Sequence, residues 1–227
     1  DPSCQARIME QAVCLEPGLA ANGAAEVYDL RETRLTSRVN IYNAAAALLA
    51  VQAFFCAAGG KNACDIERIR EGLSDFIPPL HRMTPVGEIN GVRFVNDSKA
   101  TNIGAVIAAL AGFGQDEEKE VVLIAGGRNK GGDFSELLPS LQRHVKQLIC
   151  IGEAGPELAA TAQDARIAQQ GAADMEQAVA LAFAAASSGD TVLLAPACAS
   201  FDMFKSYEHR GAVFTGLVAN LAVKNNP

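Results

Sequence analysis

Residues 121–151 read VVLIAGGRNKGGDFSELLPSLQRHVKQLICI and contain two apolar runs, Val121–Ala125 and Leu148–Ile151, separated by a helical pattern. A third apolar run, Thr191–Ala195, follows after another helical stretch. Short apolar runs that alternate with helices are typical of buried strands in a parallel sheet built from βαβ units. We therefore predict an α/β fold with a Rossmann-like, mostly parallel sheet flanked by helices.

A hairpin signal and a helix start lie directly upstream of this pattern. Residues 85–89 and 92–95 have the composition of strands, and they flank Asn90-Gly91, a residue pair preferred in type I′ turns. Asn102 then stands at the N-cap position of an apolar helix. The sheet is thus expected to begin with a hairpin that leads into a helix.

The first part of the chain has a different pattern. Residues 1–36 are weakly patterned apart from a short strand expected near 26–30, and an alanine-rich helix follows over residues 40–58. A second helix, capped by Asp65, is ended by Pro78-Pro79. We place a domain boundary at this Pro-Pro pair, which separates a mainly helical segment, residues 1–78, from the Rossmann-like domain, residues 79–227.

Charge and cysteine content argue against several classes of function. Lys and Arg total 19 against 26 Asp and Glu, which gives a net charge of -7, and no basic cluster interrupts this balance. Binding to nucleic acid or to a membrane surface is therefore not expected. The six cysteines form no CxxC pair, which argues against a zinc site and favours a reducing cytoplasm. The most apolar stretch, residues 44–58, is too short to span a bilayer comfortably, so we predict a buried helix there.

Three loops that follow predicted strands are candidates for a ligand site, because ligands of open parallel sheets bind beyond the carboxyl ends of the strands. The first loop, residues 96–102, holds Asp97 and Lys99 beside the helix cap, and capping alone does not explain them. The second, residues 125–133, has four glycines with Arg128 and Lys130, which suits the approach of an anion. It is neither a P-loop nor a dinucleotide fingerprint, and taken alone it is more often only a turn.

The third loop, residues 195–202, closes the last strand with small residues. Either Ser200 or Asp202 is expected to cap the final helix. Cys198 is expected to pack in the interior rather than act as a nucleophile, because no partner for it is evident in the sequence.

Together these motifs resemble the D-glutamate-adding branch of the Mur ligase family over residues 37–222. The matching residues are Asn96-Asp97-Ser98-Lys99-Ala100-Thr101-Asn102, His81-Arg82, Gly126-Gly127, Lys130, Asp133-Phe134, Pro196-Ala197-Cys198-Ala199-Ser200, Asp202, Phe204, Arg210-Gly211 and Phe214. The resemblance implies an ATP-dependent ligase of peptidoglycan synthesis in the cytoplasm. ATP would phosphorylate the carboxylate of UDP-N-acetylmuramoyl-L-alanine, and the amine of D-glutamate would attack the acyl phosphate.

The resemblance also implies roles for individual residues. On the nucleotide side it implies contacts to ATP by Asn40, Asn43, His81, Arg82, Asp97 and Lys99. On the amino-acid side it implies contacts to D-glutamate by Thr101, Lys130, Ser200, Phe201 and Tyr207. Lys99 and Lys130 would be catalytic through positioning and charge neutralisation, since no catalytic base is evident in this set.

The family's P-loop and its main magnesium ligands have no counterpart in this sequence. The chain opens on Asp1-Pro2 without an initiator methionine, which suggests that an upstream part has been removed. We therefore expect residues 1–78 to be the end of a central ATP-binding domain, and the chain alone to be inactive. The family's ATP and Mg²⁺ would then depend largely on the missing part, and so would UDP-N-acetylmuramoyl-L-alanine.

Two other functions stay open at this point. A nicotinamide-dependent oxidoreductase would share the Rossmann-like pattern, but no strand is followed by the dinucleotide fingerprint, so only an analogy of fold supports it. A non-catalytic nucleotide-binding module is the second alternative, and the isolated chain would partly fit it.

Overall fold

The computed structural model describes residues 6–9, 11–15, 25–35, 38–57, 65–113 and 120–225. They fall into two compact units, divided between Pro79 and Leu80. Within the described residues, no helix combines the length and the apolar character needed to cross a membrane.

The first unit contains a small antiparallel sheet and two helices. Its strands are β1 (Ala6–Met9), β2 (Ala12–Leu15) and β3 (Glu26–Asp29), and its helices are α1 (Arg38–Ala57) and α2 (Ile66–Asp75). The sheet has the order β1-β2-β3, and alternate residues of β2 and β3 face a core that also receives α1. The two helices agree with the sequence prediction, whereas β1 and β2 were not predicted.

Helix α2 begins where its sequence predicts. The Asp65 carboxylate accepts hydrogen bonds from the backbone N–H groups of Glu67 and Arg68, which otherwise lack partners at a helix start. The helix ends at Asp75, ahead of Pro78 and Pro79.

The second unit is built on a six-stranded sheet. Its strands are β4 (Thr84–Ile89), β5 (Val92–Asn96), β6 (Val121–Gly126), β7 (Val145–Ile151), β8 (Ala168–Gly171) and β9 (Thr191–Leu194). They lie in the order β4-β5-β9-β6-β7-β8, and every neighbouring pair except β4 and β5 is parallel. The predicted α/β fold with a mostly parallel sheet is confirmed.

Helices cover both faces of this sheet. One face packs against α3 (Ile103–Leu110), a short 3-10 helix (Phe134–Leu137), α4 (Leu138–His144) and α5 (Gly155–Asp164). The other packs against α6 (Met175–Ala185) and α7 (Tyr207–Asn225). Because both faces are covered, all six residues of β6 are buried, which explains its uninterrupted apolar sequence.

The hairpin and the helix cap follow the chemistry of their residues. Asn90 and Gly91 have φ values of 52° and 76°, as a type I′ turn requires, and they connect β4 to β5. The Asn102 side chain accepts a hydrogen bond from Ala105 N–H at 2.9 Å and caps α3. Both local predictions are therefore correct.

Candidate ligand site at the carboxyl edge of the sheet

Four loops leave the carboxyl ends of β5, β6, β7 and β9 and are joined to one another by backbone hydrogen bonds. Asp97 N–H donates to Leu194 carbonyl at 2.8 Å, which ties the β5 loop to β9. Gly126 N–H donates to Pro196 carbonyl at 2.9 Å, which ties β6 to the β9 loop. The three loops predicted from the sequence therefore lie along one edge of the sheet.

A backbone pair joins the glycine-rich loop to the loop after β9. Arg128 N–H donates to Ala199 carbonyl at 2.9 Å, and Ala199 N–H donates back to Arg128 carbonyl at 3.0 Å. Lys130 follows this pair by two residues and Ser200 by one, so the structure brings both to the same sheet edge. Lys130 is exposed and Ser200 is buried.

Gly127 makes this pairing possible. Its φ is 128°, in a region that L-residues avoid, and a Cβ at this position would lie 2.2 Å from the Ala199 carbonyl oxygen. The loop beyond it is shaped by Asn129, whose side-chain oxygen accepts from Gly131 and Gly132 N–H at 3.0 and 2.9 Å.

Arg210, in the first turns of α7, is fully buried and holds three of the loops. Its Nε donates to Ser98 Oγ at 3.0 Å, and its Nη2 donates to Ser98 carbonyl at 2.9 Å. Its Nη1 donates to Cys198 carbonyl at 3.2 Å and reaches Gly126 carbonyl at 3.5 Å. Burial lowers the pKa of Arg210 to about 10, so the side chain remains cationic at neutral pH.

Asn96 and His81 form a second cluster behind the β5 loop. The Asn96 amide donates to Gly211 carbonyl at 2.9 Å and to Thr215 Oγ1 at 3.1 Å, and it lies 3.1 Å from His81 Nδ1. The amide has only two N–H groups for these three neighbours, and whether His81 Nδ1 accepts depends on the tautomer of its ring. The ring sits against Gly211, where a Cβ would lie 2.2 Å from the same nitrogen.

Asp97 is a buried carboxylate with a raised pKa. Burial raises the pKa of Asp97 to about 6, although the backbone N–H of Met83 and the positive charge of Arg82 act in the opposite direction. The Met83 N–H donates to its Oδ1 at 3.2 Å. A carboxyl group whose pKa is raised toward neutral pH is typical of functional sites.

Lys99 and Tyr207 face each other across the β5 loop. The Lys99 ammonium lies 4.0 Å from the centroid of the Tyr207 ring, within the range of a cation–π interaction. Glu208 beside the hydroxyl raises the pKa of Tyr207, and hydrogen bonds from Ser206 and Tyr207 lower the pKa of Glu208 to about 2.

The loop after β7 adds a charged pair that was not predicted from the sequence. Arg128 donates from Nε and Nη2 to the two carboxylate oxygens of Glu153, each at 3.0 Å. Glu153 N–H donates in turn to Asp202 Oδ2 at 2.9 Å. The glycine-rich loop is thereby connected to the loops after β7 and β9.

Residues 81–198 match the family model described as Mur ligase, glutamate ligase domain. The chain belongs to the Mur ligase family. It is 46% identical over 189 residues to the UDP-N-acetylmuramoylalanine–D-glutamate ligase of Albidiferax ferrireducens, a match that covers 83% of this chain and 35% of that protein. The chain thus spans about a third of this relative.

Solved structures agree with the Mur ligase fold. A pseudomurein peptide ligase type C from Methanothermus fervidus superposes with a TM-score of 0.66 at 14% identity, over 97% of this chain and 42% of that one. Folylpolyglutamate synthase from Mycobacterium tuberculosis, complexed with ADP and AMPPCP, superposes with a TM-score of 0.63 at 16% identity, over 94% and 47% of the two chains.

The other residues expected in a Mur ligase site differ in their exposure to solvent. Thr101 is half-buried, and its N–H donates to Lys99 carbonyl at 2.7 Å. Phe201 is 66% exposed beside buried Ser200. On α1 of the first unit, Asn40 is buried and Asn43 is exposed.

The cap of the last helix differs from the sequence prediction. Ser206, rather than Ser200 or Asp202, accepts a hydrogen bond from His209 N–H at 3.2 Å at the start of α7. The Asp202 carboxylate instead accepts a hydrogen bond from the Glu153 N–H, in the loop after β7.

The structural role of Arg210 in this Mur ligase chain was not predicted from the sequence. A signal for that role was present, because Arg210 lies four residues before buried Phe214 and eight before buried Val218 on α7. A charged residue on a buried helical stripe predicts an internal hydrogen-bond network.

Proposed function

We propose that this chain is the amino-acid-binding part of an ATP-dependent, cytoplasmic ligase that joins D-glutamate to UDP-N-acetylmuramoyl-L-alanine in peptidoglycan synthesis. The observation that carries the proposal is the 46% identity, over 83% of the chain, to a relative named for this reaction. The folylpolyglutamate synthase of similar fold is complexed with ADP and AMPPCP, which supports the use of ATP.

The proposed D-glutamate pocket lies where the glycine-rich loop meets the loop after β9. A dicarboxylate requires a cation and several hydrogen-bond donors. Exposed Lys130 supplies the cation, and the hydroxyls of Thr101 and Ser200 with the Phe201 N–H supply donors. The Tyr207 ring forms the remaining wall.

The proposed phosphate side lies along the β5 loop. Lys99 and Arg82 neutralise phosphate oxygens, while Asp97 and His81 complete the polar lining. Lys99 and Lys130 act by holding the acyl phosphate and the amine in a reactive geometry and by offsetting negative charge. No side chain of this set is required as a base.

We assign residues 79–227 to amino-acid binding and residues 1–78 to a central ATP-binding domain, in which Asn40 and Asn43 contact adenine. Across the described ranges, no group of three or more His, Cys, Asp or Glu side chains is arranged to hold a metal ion. We propose that Mg²⁺ is held by the part of the ligase that contains the P-loop.

A chimaera tests the proposed function. The part of the Albidiferax ferrireducens relative that precedes its match would be joined to this chain, and phosphate release from ATP would be measured with UDP-N-acetylmuramoyl-L-alanine. We expect release that depends on D-glutamate and is not supported by L-glutamate. The 227-residue chain alone is the control and should release none, because its sequence has no P-loop.

The intact relative serves as the positive control for this assay. A folded chimaera that binds ATP but shows no phosphate release dependent on D-glutamate would contradict the proposed function. Ligation by the chain alone would contradict the proposal that ligation requires a P-loop from another part of the ligase.

A further inference from the structure

Two contacts connect Tyr207 to the β5 loop directly, and a third connects it through His81. Ser98 Oγ donates to Tyr207 carbonyl at 2.8 Å, which fixes the backbone at the start of α7. The Lys99 ammonium lies 4.0 Å over the Tyr207 ring. His81, whose carbonyl accepts Lys99 N–H at 3.0 Å, meets the same ring edge-on with centroids 6.4 Å apart.

The backbone of this region is held firmly, so the ring has a defined position. Arg210 binds Ser98 through both the hydroxyl and the carbonyl, one turn along α7 from Tyr207. His81 and Met83 have φ values of 65° and 46°, in the left-handed region that residues other than glycine seldom adopt. Such conformations persist only where the surroundings over-determine them.

Among the side chains of Lys99, His81 and Tyr207, Lys99 has the most rotatable bonds. A lysine has four rotatable side-chain bonds, and much of its rotamer entropy is lost when it binds a phosphate. An aromatic face beneath the ammonium limits those rotamers before any ligand arrives and leaves the outward N–H donors free.

We propose that Tyr207 is a positioning residue for Lys99, so that one side chain assigned to the amino-acid pocket also places the cation of the phosphate side. The inference rests on the proposed function, because it takes Lys99 as a phosphate ligand. It adds that the two substrate sites share the Tyr207 ring.

NMR of the 227-residue chain without ligand tests the geometric half. The Tyr207 ring should shift the Lys99 ε-CH₂ signal upfield, through its ring current. Tyr207→Phe should keep that shift because the ring remains, and Tyr207→Leu should remove it. The Lys146 ε-CH₂ signal is the internal control, since Lys146 pairs with Asp190 at 2.6 Å. An identical Lys99 shift in the wild type and in Tyr207→Leu would overturn the proposal.

Titration of the same three proteins with inorganic tripolyphosphate tests the functional half. Tyr207→Leu should weaken binding about three- to tenfold, and Tyr207→Phe should restore it. Phe76→Leu, which changes an exposed aromatic residue outside the site, is the matched control. Loss of the ring-current shift with unchanged affinity would overturn the role of Tyr207 in phosphate binding. If the wild type binds no tripolyphosphate, Lys99 is not a phosphate ligand in the chain alone and the functional half of the proposal fails, while the ring-current result still decides the geometry.

Discussion

Arg210 holds Ser98 twice, through the hydroxyl at 3.0 Å and through the backbone carbonyl at 2.9 Å. The two residues are separated by 112 positions in the chain, and both are completely buried. The same guanidinium also reaches the carbonyl groups of Gly126, at the end of β6, and of Cys198, in the loop after β9. A single side chain on α7 thus fixes the backbone on which the candidate site is built.

Replacement of Arg210 by methionine should destabilise the second unit. The change leaves the Ser98 hydroxyl and buried carbonyl groups without donors, and we expect a loss of about 3–5 kcal/mol in the free energy of unfolding. Urea denaturation followed by amide signals of residues 80–225 measures it. Arg143→Met, at an exposed position near the end of α4, is the control and should change stability by less than about 0.5 kcal/mol. Equal effects of the two changes would refute the structural role.

Asp97 should make the stability of the second unit depend on pH. Its folded-state pKa of about 6 exceeds its ordinary value of 3.8, so the folded state binds the proton more tightly. The resulting stabilisation is present below about pH 4 and is lost as the pH rises toward 6, at about 1.4 kcal/mol per pKa unit. Asp97→Asn should therefore be more stable than the wild type at pH 7, by about 3 kcal/mol.

The measurement is the difference in the free energy of unfolding between the variant and the wild type from pH 4 to pH 7. Asp164→Asn, which changes an exposed aspartate at the end of α5, is the control. A constant difference across this range would show that Asp97 is not the group responsible. Because asparagine keeps the acceptor for Met83 N–H, a loss of that bond is not expected to obscure the result.

Gly127→Ala should disrupt the backbone pair between Arg128 and Ala199. A methyl group would approach the Ala199 carbonyl oxygen to 2.2 Å at a φ of 128°, so we expect a loss of about 3 kcal/mol or more. Gly104→Ala on α3 is the control. Its nearest neighbour would be Asn102 Oδ1 at 3.6 Å, and it should leave stability unchanged or raise it by about 0.5 kcal/mol. Urea midpoints compare the two, and a mild effect of Gly127→Ala would contradict the close approach.

Lys130→Ala should weaken the use of D-glutamate far more than the use of ATP. Loss of a charge-assisted hydrogen bond costs about 1.5–3 kcal/mol, or about one to two powers of ten in affinity. The KM values for both substrates would be measured in the active chimaera, with Lys224→Ala at the exposed end of α7 as the control. If the KM for D-glutamate stays the same, Lys130 does not belong to that pocket.

Much of the sheet could be predicted because its central strands carry their own signal. Strands β6 and β9 are largely apolar, and β7 ends in the apolar run Leu148–Ile151. The type I′ turn and the α3 cap each depend on one or two residues. Strand β8 reads Ala-Gln-Gln-Gly and lacks an apolar pattern, since it lies at the edge and is defined by its pairing with β7. Such an element depends on tertiary context rather than on local propensity.

The candidate site was predictable to a similar extent. Residues on loops after strands, such as Lys99 and Lys130, could be selected because topology brings those loops to one edge. The burial of Arg210 could be predicted from its position on the apolar stripe of α7, but its partners could not, because they include backbone carbonyl groups and every residue of the chain has one. The bridge from Glu153 to Asp202 likewise uses a backbone N–H, which has no signature in the sequence.

The position of β9 has a consequence for how the protein is made. It is the last strand of the described chain, yet it lies between β5 and β6 in the sheet. Without β9, the facing edges of β5 and β6 are unpaired. During synthesis on the ribosome, strands β4-β5 and β6-β7-β8 therefore cannot join into one sheet until residues 191–194 have left the ribosome. The loop that follows β9 then supplies Ser200 and leads to Arg210. The candidate site therefore forms only when the sheet is complete. A translation product that stops before β9 would have neither, and its open edges would make it a target for aggregation or proteolysis.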